Sequence, residues 1–600
     1  MVRSINDSLN RHATIVDAFD QRAMNHGSDV AVRFLSNGKD DTSRLTYDDL
    51  RTRSRQLAGK LRSICSAGDR AVILCTWGPD YLVSLFACFY SQVVAVPLYP
   101  PRPNRSWDRL ASVLADARPQ VALVDSSFQV NSSQSFVDAT RDHPVRLVLT
   151  DQQASDETSD LDTNTSRHQS DLAYLQYTSG STSAPKGVLI SHGNVLSNCD
   201  VIGRVGDATY EHVVGSWLPL HHDMGLIGGV MTPLLLGLPA ILMPPEMFVM
   251  RPYRWLEMIT RYRVTVSAAP NFAYDLCVKR VKDAQLNTID LSTWRVAFNG
   301  SERIDPASLH RFQAKFQRCG FRPQTFMPCY GLAESTLFVT GNQLDVPPFV
   351  RKFEQSTVES GAPSPADHGL ELVGSGKPDA DHEVAIVDPD THHRRPDGKI
   401  GEIWVRGPSV ADGYWNRPDL TQAVFMAKTA DAEDTEGPYL RTGDLGFFYR
   451  EHLFVTGRIK DMIIIHGRNL FPEDVEQVVE NAHPAVQPHG SIAMSLNDEP
   501  DEKLIVVAEA DIRSCQLPKN SRRIKSTSKA GMQHNAPNPP SSYLAEIRNA
   551  IQNAVANQCD VRVHQVLIIK MHTLPKTSSG KKRRDECRNR LQNDLLTTLN

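Results

Sequence analysis

The chain has 600 residues and a mass of 66.8 kDa, with 40% hydrophobic and 22% charged residues. This composition excludes a disordered or fibrous protein, and the length, several times the roughly 100 to 150 residues of a typical domain, predicts a multidomain enzyme. A formal net charge of −4 excludes a global field that would recruit nucleic acid or an anionic membrane, so we expect neither as a partner.

The cysteines and the N-terminal sequence bear on localisation. Ten cysteines are scattered without a CxxC pair, which is typical of a reducing compartment and gives no zinc-binding pattern. The N-terminal residues lack an apolar core followed by small residues, so they make a poor signal peptide. These observations predict a cytoplasmic protein.

The first 170 residues alternate helical and strand patterns. Thr46 and Asp49 resemble a capping box, and one helix face follows, made of Leu50, Leu57, Leu61 and Ile64. Short strands are predicted at 70–75, 93–96 and 121–124. This alternation favours an α/β fold with parallel strands joined by crossover helices. The polar segment 151–170 is predicted to be a surface linker.

A loop rich in small and hydroxyl residues follows, with the sequence YTSGSTSAPKGV from Tyr177 to Val188. Apolar stretches at 172–175 and 188–190 predict that it connects two strands. Backbone N–H groups and hydroxyls can approach phosphate oxygens closely in such a loop, and Lys186 adds a positive charge. It is not a Walker loop, because Pro185 stands at the second glycine position and Gly187 follows the lysine. The ordered string favours a phosphate cradle over an ordinary surface loop.

The stretch Gly225–Met243 is uncharged and about as long as a membrane span. Pro233 and Pro239, together with four glycines, favour broken buried segments instead. We interpret the stretch as core and as a candidate wall of an apolar substrate tunnel.

The later part of the chain contains short β-prone runs and a second polar tract. The runs, at 402–406, 447–449 and 453–455, predict a strand-rich end to the large domain. The tract at 513–542 is rich in Lys, Arg, Ser, Asn and Pro, which favours a long exposed loop, with docking of an acidic partner as the alternative. The basic run near Lys581 is weak evidence for nucleic acid in a chain of net negative charge.

The string TSGSTSAPKG resembles the signature of the adenylate-forming superfamily, which includes acyl-CoA synthetases, nonribosomal peptide adenylation domains and luciferases. Further strings resemble other elements of that superfamily and occur downstream: LPLHHDMGL, NGSERI, CYGLAEST, YLRTGDLG, GRIKDMIIIHGRNLFPEDVE and LPKTSSGKKRR. The resemblance implies a large N-terminal domain at 1–459, built of α/β subdomains with a strand-rich part. It also implies a small mobile α+β domain at 460–600.

The resemblance also implies roles for individual residues toward ATP. The predicted nucleotide-binding residues are Thr178, Ser179, Gly180, Ser181, Thr182, Lys186, Asn299, Gly300, Ser301, Tyr330, Gly331, Asp444 and Arg458. Glu334 would hold Mg2+, for which a carboxylate is a suitable hard ligand. Ala333 stands where many relatives have Thr, so the hydroxyl contact to the α-phosphate would either be missing or be supplied by Ser335 or Thr336.

Three residues are expected to act on the reaction itself. Lys581 would be the reactive lysine that bridges the acyl carboxylate and the α-phosphate, and Lys460 would be the hinge of the small domain. His222 would position the acyl carboxylate, with simple packing as the alternative. A metal site at residues 221–223 is disfavoured, because three adjacent side chains do not easily converge on one ion.

An insertion at about 337–375 makes the chain resemble the fatty acyl-AMP ligases over nearly its whole length. In that family the extra segment is thought to restrain the small domain and to disfavour CoA, so that the acyl group passes to an acyl carrier protein. We expect a medium- or long-chain fatty acid as substrate and an acyl carrier protein on a separate chain as acceptor. The alternatives are an insertion without effect in a fatty acyl-CoA ligase and, more distantly, a non-catalytic adenylate-binding or carrier-docking protein.

Overall fold

The computed structural model describes residues 8–100, 107–141, 143–151, 167–177, 185–431, 437–465, 468–496, 503–512, 541–577 and 580–599. The chain forms two compact units. The large unit comprises Met1–Glu354 and Pro363–Val455, and the small unit comprises Gln355–Ala362 and Thr456–Asn600. A short segment of the predicted insertion therefore belongs to the small unit.

A nine-stranded sheet forms one part of the large unit. Its strands, in spatial order, are Lys377–Pro378, Phe338–Gly341, Phe326–Gly331, Val296–Asn299, Val266–Ala269, Val214–Ser216, Ala240–Leu242, Val30–Phe34 and Ser43–Thr46. The strand Val296–Asn299 runs parallel to both of its neighbours. Because the carboxyl ends of parallel strands meet at one edge of a sheet, Asn299 and the end of Phe326–Gly331 lie close together.

A six-stranded sheet forms a second part of the large unit. Its strands, in spatial order, are Arg146–Leu149, Val121–Val124, Arg70–Ile73, Val94–Pro97, Leu172–Tyr177 and Gly187–Ser191. All pairs are parallel except the last, which is antiparallel. The three predicted parallel strands are thus confirmed, although the first ends two residues earlier than predicted.

The predicted capping box is also confirmed, at the start of helix Tyr47–Arg62. The Asp49 N–H donates to Thr46 Oγ1 over 3.0 Å, and the Thr46 N–H donates to the Asp49 carboxylate over 2.9 Å. Leu50, Leu57 and Leu61 are buried on one face, whereas Ile64 lies beyond the end of the helix.

Helices and smaller sheets complete the large unit. One apolar cluster joins both sheets with the helices Ile15–His26, Tyr47–Arg62, Pro79–Ser91 and His192–Val205. The other α-helices are Asp108–Ala117, Ser126–Ala139, Thr232–Leu236, Pro245–Met250, Tyr253–Tyr262, Asn271–Arg280, Asp283–Leu286, Pro306–Phe316 and Pro418–Phe425. The strand-rich end is confirmed as a four-stranded sheet of Glu383–Val387, Gly401–Arg406, Leu440–Tyr449 and His452–Arg458, preceded by the strand pair Val350–Phe353 and Leu370–Val373.

The uncharged stretch Gly225–Met243 folds as broken, buried segments, as predicted. A widened helix at Met224–Met231 is followed by the short helix Thr232–Leu236 and the strand Ala240–Leu242. Most of their side chains are buried in the core. None of the helices in the described ranges is long and apolar enough to cross a membrane.

The small unit is an α+β structure with its own core. Its three-stranded sheet contains Val486–Leu496, Lys503–Ala510 and Gln565–Lys570, and a hairpin joins Ile463–Ile465 to Arg468–Leu470. Its helices are Gln355–Glu359, Pro472–Ala482, Ser541–Cys559 and Arg584–Gln592. Residues 513–540 of the predicted polar loop lie outside the described residues. The loop was predicted to end at residue 542, but helix Ser541–Cys559 begins two residues before that end. Most of the predicted linker, residues 152–166, is also outside the described residues.

Candidate active site

The flanks of the predicted phosphate loop are two antiparallel strands, Leu172–Tyr177 and Gly187–Ser191, which confirms a loop between strands. Thr178, Ser179, Gly180, Ser181 and Thr182 lie outside the described residues.

Three side chains fix the beginning of this loop. The Tyr177 hydroxyl donates to Asp116 Oδ2 over 2.6 Å, and Arg417 donates to Asp116 Oδ1 over 2.7 Å. Burial and the Asp116 carboxylate raise the pKa of Tyr177, so its hydroxyl stays a donor at neutral pH. The loop therefore starts from a residue whose side chain is held in place.

Lys186, at the other end of the loop, lies beside Tyr414. Its Nζ is 5.4 Å from the centroid of the Tyr414 ring, within reach of a cation–π interaction. The Tyr414 hydroxyl donates to Glu334 Oε1 over 2.8 Å. Tyr414 thus links the predicted phosphate-binding lysine to the predicted metal ligand.

Sequence reasoning missed Tyr414, because a single aromatic residue carries no specific chemical signal. The backbone around it explains its place: the Trp415 N–H donates to the Gly187 carbonyl over 2.8 Å, and the Leu189 N–H donates to the Gly413 carbonyl over 2.9 Å. The segment therefore lies along the strand that leaves the phosphate loop. Burial and the nearby Glu334 carboxylate raise the pKa of Tyr414, so it remains a hydrogen-bond donor.

The surroundings of Glu334 fit a magnesium ion. The carboxylate is half-buried, and its Oε1 accepts the Tyr414 hydrogen bond, which leaves Oε2 able to ligate a cation. Mg2+ is commonly bound by one or two carboxylates together with substrate phosphates and water, and Lys186 marks the predicted phosphate position.

Ser335 and Thr336 are the two candidates for the hydroxyl that Ala333 lacks, and they differ in whether that hydroxyl already has a hydrogen-bond partner. Thr336 Oγ1 already donates to the Ser409 carbonyl over 2.7 Å. Ser335 Oγ is buried and has no hydrogen-bond partner among the described residues. Of the two, Ser335 is the one whose hydroxyl a ligand could still engage.

Tyr330 and Asp444 meet although 114 positions separate them in sequence. The Tyr330 hydroxyl donates to Asp444 Oδ2 over 2.8 Å, and both residues are buried. Gly331 follows the tyrosine at a point where a Cβ atom would lie 1.8 Å from the Leu337 carbonyl oxygen, so only glycine fits. The predicted adenine-binding and ribose-binding residues are thus adjacent in the large unit.

Asn299 ends the strand of the nine-stranded sheet that lies next to strand Phe326–Gly331, which carries Tyr330. Its side chain is fully buried, and among the described residues neither its amide nitrogen nor its oxygen has a hydrogen-bond partner. A buried amide without partners costs about 1 to 3 kcal/mol, which a ligand with both a donor and an acceptor edge would relieve. Ser301, after Gly300, has φ of +74°, a strained value for a residue with a Cβ atom. These features fit the edge of an adenine ring.

His222 lies at the entrance to the widened helix Met224–Met231. Its N–H donates to the Pro219 carbonyl over 3.2 Å, and its ring centroid is 4.5 Å from that of His221. Burial, with a smaller effect of Arg109, lowers the pKa of His221 to about 4, so that ring is neutral at neutral pH. In the described residues no group of three or more His, Cys, Asp or Glu side chains could hold a metal ion. The positioning role of His222 stays a prediction.

The remaining predicted residues are in the small unit. Lys581 is half-buried, and its N–H donates to Thr577 Oγ1 over 3.0 Å. Arg458 ends the strand His452–Arg458, and Lys460 lies in the single helical turn Ile459–Asp461; both are exposed. The catalytic role of Lys581, the ribose contact of Arg458 and the hinge role of Lys460 stay predictions.

Comparison with known proteins identifies the family of this chain. The family described as AMP-binding enzyme matches residues 19–415. The chain belongs to this family. It is a ligase of the adenylate-forming superfamily, and its relatives and solved structures confirm the resemblance to the fatty acyl-AMP ligases.

Relatives at the sequence level match over almost the whole chain. JamA of Moorena producens (strain JHB), a medium-chain-fatty-acid–acyl-carrier-protein ligase, is 37% identical over 96% of this chain and 94% of its own length. The 4-hydroxyphenylalkanoate adenylyltransferase of Mycobacterium marinum (strain ATCC BAA-535 / M) is 33% identical over 98% of this chain and 92% of its own length. FadD25 of Mycobacterium tuberculosis (strain ATCC 25618 / H37Rv), provisionally named a fatty-acid–CoA ligase, is 33% identical over 96% of this chain and 97% of its own length.

Solved structures agree with the fold. A structure from a study of fatty acyl-adenylate ligases from E. coli and L. pneumophila superposes with a TM-score of 0.83 at 29% identity, covering 99% of both chains. The L. pneumophila fatty acyl-adenylate ligase in complex with acyl adenylate and pyrophosphate superposes with a TM-score of 0.72 at 32% identity, covering 100% of this chain and 99% of that one. The predicted α/β fold of this superfamily is therefore confirmed.

Proposed function

We propose that this ligase activates a medium- or long-chain fatty acid as its acyl adenylate and passes the acyl group to the phosphopantetheine thiol of a separate acyl carrier protein. The observation that carries the adenylation step is the Lys186–Tyr414–Glu334 cluster in the same unit as Asn299 and the Tyr330–Asp444 pair. A phosphate-binding group, a hard carboxylate and a polar nucleotide pocket are the parts that ATP requires. JamA, named as a ligase for a medium-chain acid and a carrier protein, supports the substrate and the acceptor.

The first step joins two anions, so its catalysis depends on charge and position. A carboxylate oxygen attacks the α-phosphorus, the bond from that phosphorus to the bridging oxygen of the β-phosphate breaks, and pyrophosphate leaves. Lys581 would hold the acyl carboxylate and the α-phosphate together, and Lys186 would hold the departing phosphates. Mg2+ bound at Glu334 would supply positive charge to the phosphates.

The second step transfers the acyl group. The phosphopantetheine thiol loses its proton and attacks the acyl carbon, a thioester bond forms, and AMP leaves. No redox chemistry is involved. The chain itself need only hold the adenylate and exclude water, which would otherwise hydrolyse it.

The acyl tail would lie against the buried stretch Gly225–Met243. These residues are almost all buried and apolar, and the stacked pair Trp217 and Phe248, with centroids 3.9 Å apart, belongs to the neighbouring core cluster. His222, immediately before the stretch, would face the carboxylate end of the acid. We propose this placement because the tail of the fatty acid requires an apolar environment and its carboxylate requires a polar one.

A second candidate function is a fatty acyl-CoA ligase, which the provisional name of fadD25 favours. The insertion argues for the carrier protein. Helix Gln355–Glu359 of the insertion packs with strand Arg468–Leu470 of the small unit. This packing supports the proposal that the insertion restrains the small unit.

The decisive experiment offers the purified protein ATP, Mg2+ and fatty acids of different lengths, with CoA or a phosphopantetheinylated carrier protein as acceptor. Mass spectrometry follows acyl-AMP, acyl-CoA and the acylated carrier. We expect acyl-AMP with one range of chain lengths and rapid transfer to the carrier but not to CoA. Rapid acyl-CoA formation would establish the second candidate instead, and the absence of acyl-AMP with every acid tested would refute adenylation. Omitting Mg2+ tests the assignment of Glu334.

A further inference from the structure

Two adjacent lysines, Lys581 and Lys582, stand in the basic run near the C-terminus, and their chemistry is identical. The sequence by itself does not explain why only one of them should meet the substrate. The structure distinguishes them, because the side chain of Lys582 is bound to two carboxylates within the small unit.

The ammonium group of Lys582 lies between two carboxylates of helix Pro472–Ala482. Its Nζ donates to Glu476 Oε2 over 2.8 Å and to Glu480 Oε1 over 3.0 Å. Glu476 also accepts from Arg584, whose Nε is 3.0 Å from Oε1 and whose Nη2 is 2.9 Å from Oε2. The Glu476 side chain is only 3% exposed, and that of Lys582 is 17% exposed. The two cations and two carboxylates form a buried ion-pair network.

Backbone groups hold the two carboxylates in place. Glu476 Oε1 accepts the Ala493 N–H over 3.1 Å. Glu480 accepts the His489 N–H over 2.6 Å and the Ser491 hydroxyl over 2.8 Å. Because these donors belong to strand Val486–Leu496, the network is fixed to both a helix and a strand.

The charges in the network are stabilised by one another. Burial alone would raise the pKa of Glu480, but Lys582 and the two hydrogen bonds lower it below its usual value. Burial alone would lower the pKa of Lys582, but Glu476 and Glu480 raise it. Both partners are therefore ionised at neutral pH.

The backbone at Lys581 is bonded to the described residues that precede it. The Lys581 N–H donates to Thr577 Oγ1 over 3.0 Å, and the Thr577 N–H donates to the Lys581 carbonyl over 2.8 Å. Gly580 has φ of +90°, a conformation that glycine adopts without strain, and Lys576 and Lys582 form an antiparallel bridge. Because Lys581 and Lys582 are neighbours in the chain, the bonds that hold the Lys582 side chain also restrict the backbone from which the Lys581 side chain starts.

We propose that Lys582, held by Glu476 and Glu480, is a positioning residue that fixes the register of the backbone at Lys581 and presents its side chain for adenylation. This inference rests on the proposed function, which needs Lys581 at the α-phosphate. A slip of one residue would turn Lys581 toward the glutamates and Lys582 away from them. The bonds from Lys582 and Arg584 to one rigid helix oppose that slip.

The test compares Lys582→Met with Lys582→Arg, and uses Lys570→Met as the matched control, because Lys570 is an exposed lysine of the same unit. Pyrophosphate release measures acyl-AMP formation, and a separate assay follows transfer from supplied acyl-AMP to the carrier protein. We expect Lys582→Met to lower the kcat of acyl-AMP formation by about 10²-fold, the loss typical of a misplaced reactive group, with KM for ATP and acid unchanged. Lys582→Arg should recover most of this loss, and Lys570→Met should match the wild type.

Transfer from supplied acyl-AMP distinguishes positioning from general damage, because it does not require Lys581 at the α-phosphate. We expect Lys582→Met to retain it. If Lys582→Met unfolds the small unit, Glu480→Gln, which keeps the side-chain shape and removes one charge, replaces it and should show the same selective loss. Wild-type kcat in these variants, or equal loss of both half-reactions, would overturn the inference.

Lys581→Ala separates this inference from the proposed function. If no acid yields acyl-AMP with the wild type, or if Lys581→Ala retains adenylation, the proposed function or its lysine is wrong. If Lys581→Ala is inactive while Lys582→Met is fully active, only the positioning role is wrong.

Discussion

The nucleotide residues of the large unit and the segment around Lys581 and Lys582 in the small unit use polar groups in opposite ways. In the large unit, the buried amide of Asn299 has no hydrogen-bond partner among the described residues, and Ser301 has a strained backbone. In the small unit, the partly buried Lys582 and the buried Glu476 are bonded to each other. A pocket must keep polar groups for its ligand, at a cost in stability, whereas a segment that presents one side chain gains rigidity by satisfying its own polar groups.

The largest expected effect tests what the small unit presents. Lys581→Ala should reduce acyl-AMP formation by about 10² to 10³-fold, the usual loss on removing a preorganised charge from a transition state. ATP binding should persist, because Asn299, Tyr330 and Asp444 belong to the large unit. Pyrophosphate release and equilibrium ATP binding measure the two properties, and near-normal pyrophosphate release would contradict the assignment of Lys581.

The next effect concerns a hydrogen bond that is already formed in the large unit, between Tyr414 and Glu334. Tyr414→Phe removes the hydrogen bond to Glu334 but keeps the ring beside Lys186. A hydrogen bond to a charged group contributes about 1.5 to 3 kcal/mol, so we expect a loss of roughly tenfold or more in adenylation at limiting Mg2+. The adenylation rate measured at a series of Mg2+ concentrations gives the size of this loss. An unchanged Mg2+ dependence would mean that Tyr414 does not orient Glu334, and Tyr449→Phe, at a half-buried ring in the same unit, serves as the control.

A third substitution tests the comparison most directly, because its effects on stability and binding should have opposite signs. Asn299→Leu replaces an unsatisfied buried amide by an apolar group of similar size, so the free energy of unfolding without ligand should rise, by about 1 to 3 kcal/mol. KM for ATP should rise as well, because adenine loses its partner. Chemical denaturation and steady-state kinetics give the two numbers. A less stable variant with normal KM would show that Asn299 is a structural residue.

The smallest effect is the pH dependence of the small unit. The pKa of Glu480 is lower in the folded chain than its ordinary value near 4.5, so its stabilising contribution is complete above that value and is lost as pH falls through the folded pKa. In the wild type, we expect the free energy of unfolding to decrease as the pH is lowered below about 4.5. In Glu480→Gln, the same decrease should be less steep. Denaturation curves at several acidic pH values measure this. Parallel curves for the two proteins would exclude a paired Glu480.

Local patterns in the sequence predicted the elements and the chemistry of single motifs. The capping box of Thr46 and Asp49, the strands on both sides of the phosphate loop, and the broken core at Gly225–Met243 follow from side-chain spacing, proline and glycine, which act over a few residues. The family resemblance pointed to Tyr330, Glu334 and Asp444 by their position in short strings.

Only the tertiary structure decided which of these residues meet. The bonds from Tyr414 to Glu334 and from Tyr330 to Asp444 join residues 80 and 114 positions apart, and they depend on the order of strands in the sheets. The ion pair of Lys582 with Glu476, 106 positions away, likewise depends on the packing of the small unit. No local spacing encodes such pairs, because the chain between them sets no fixed distance until the sheets and helices are packed.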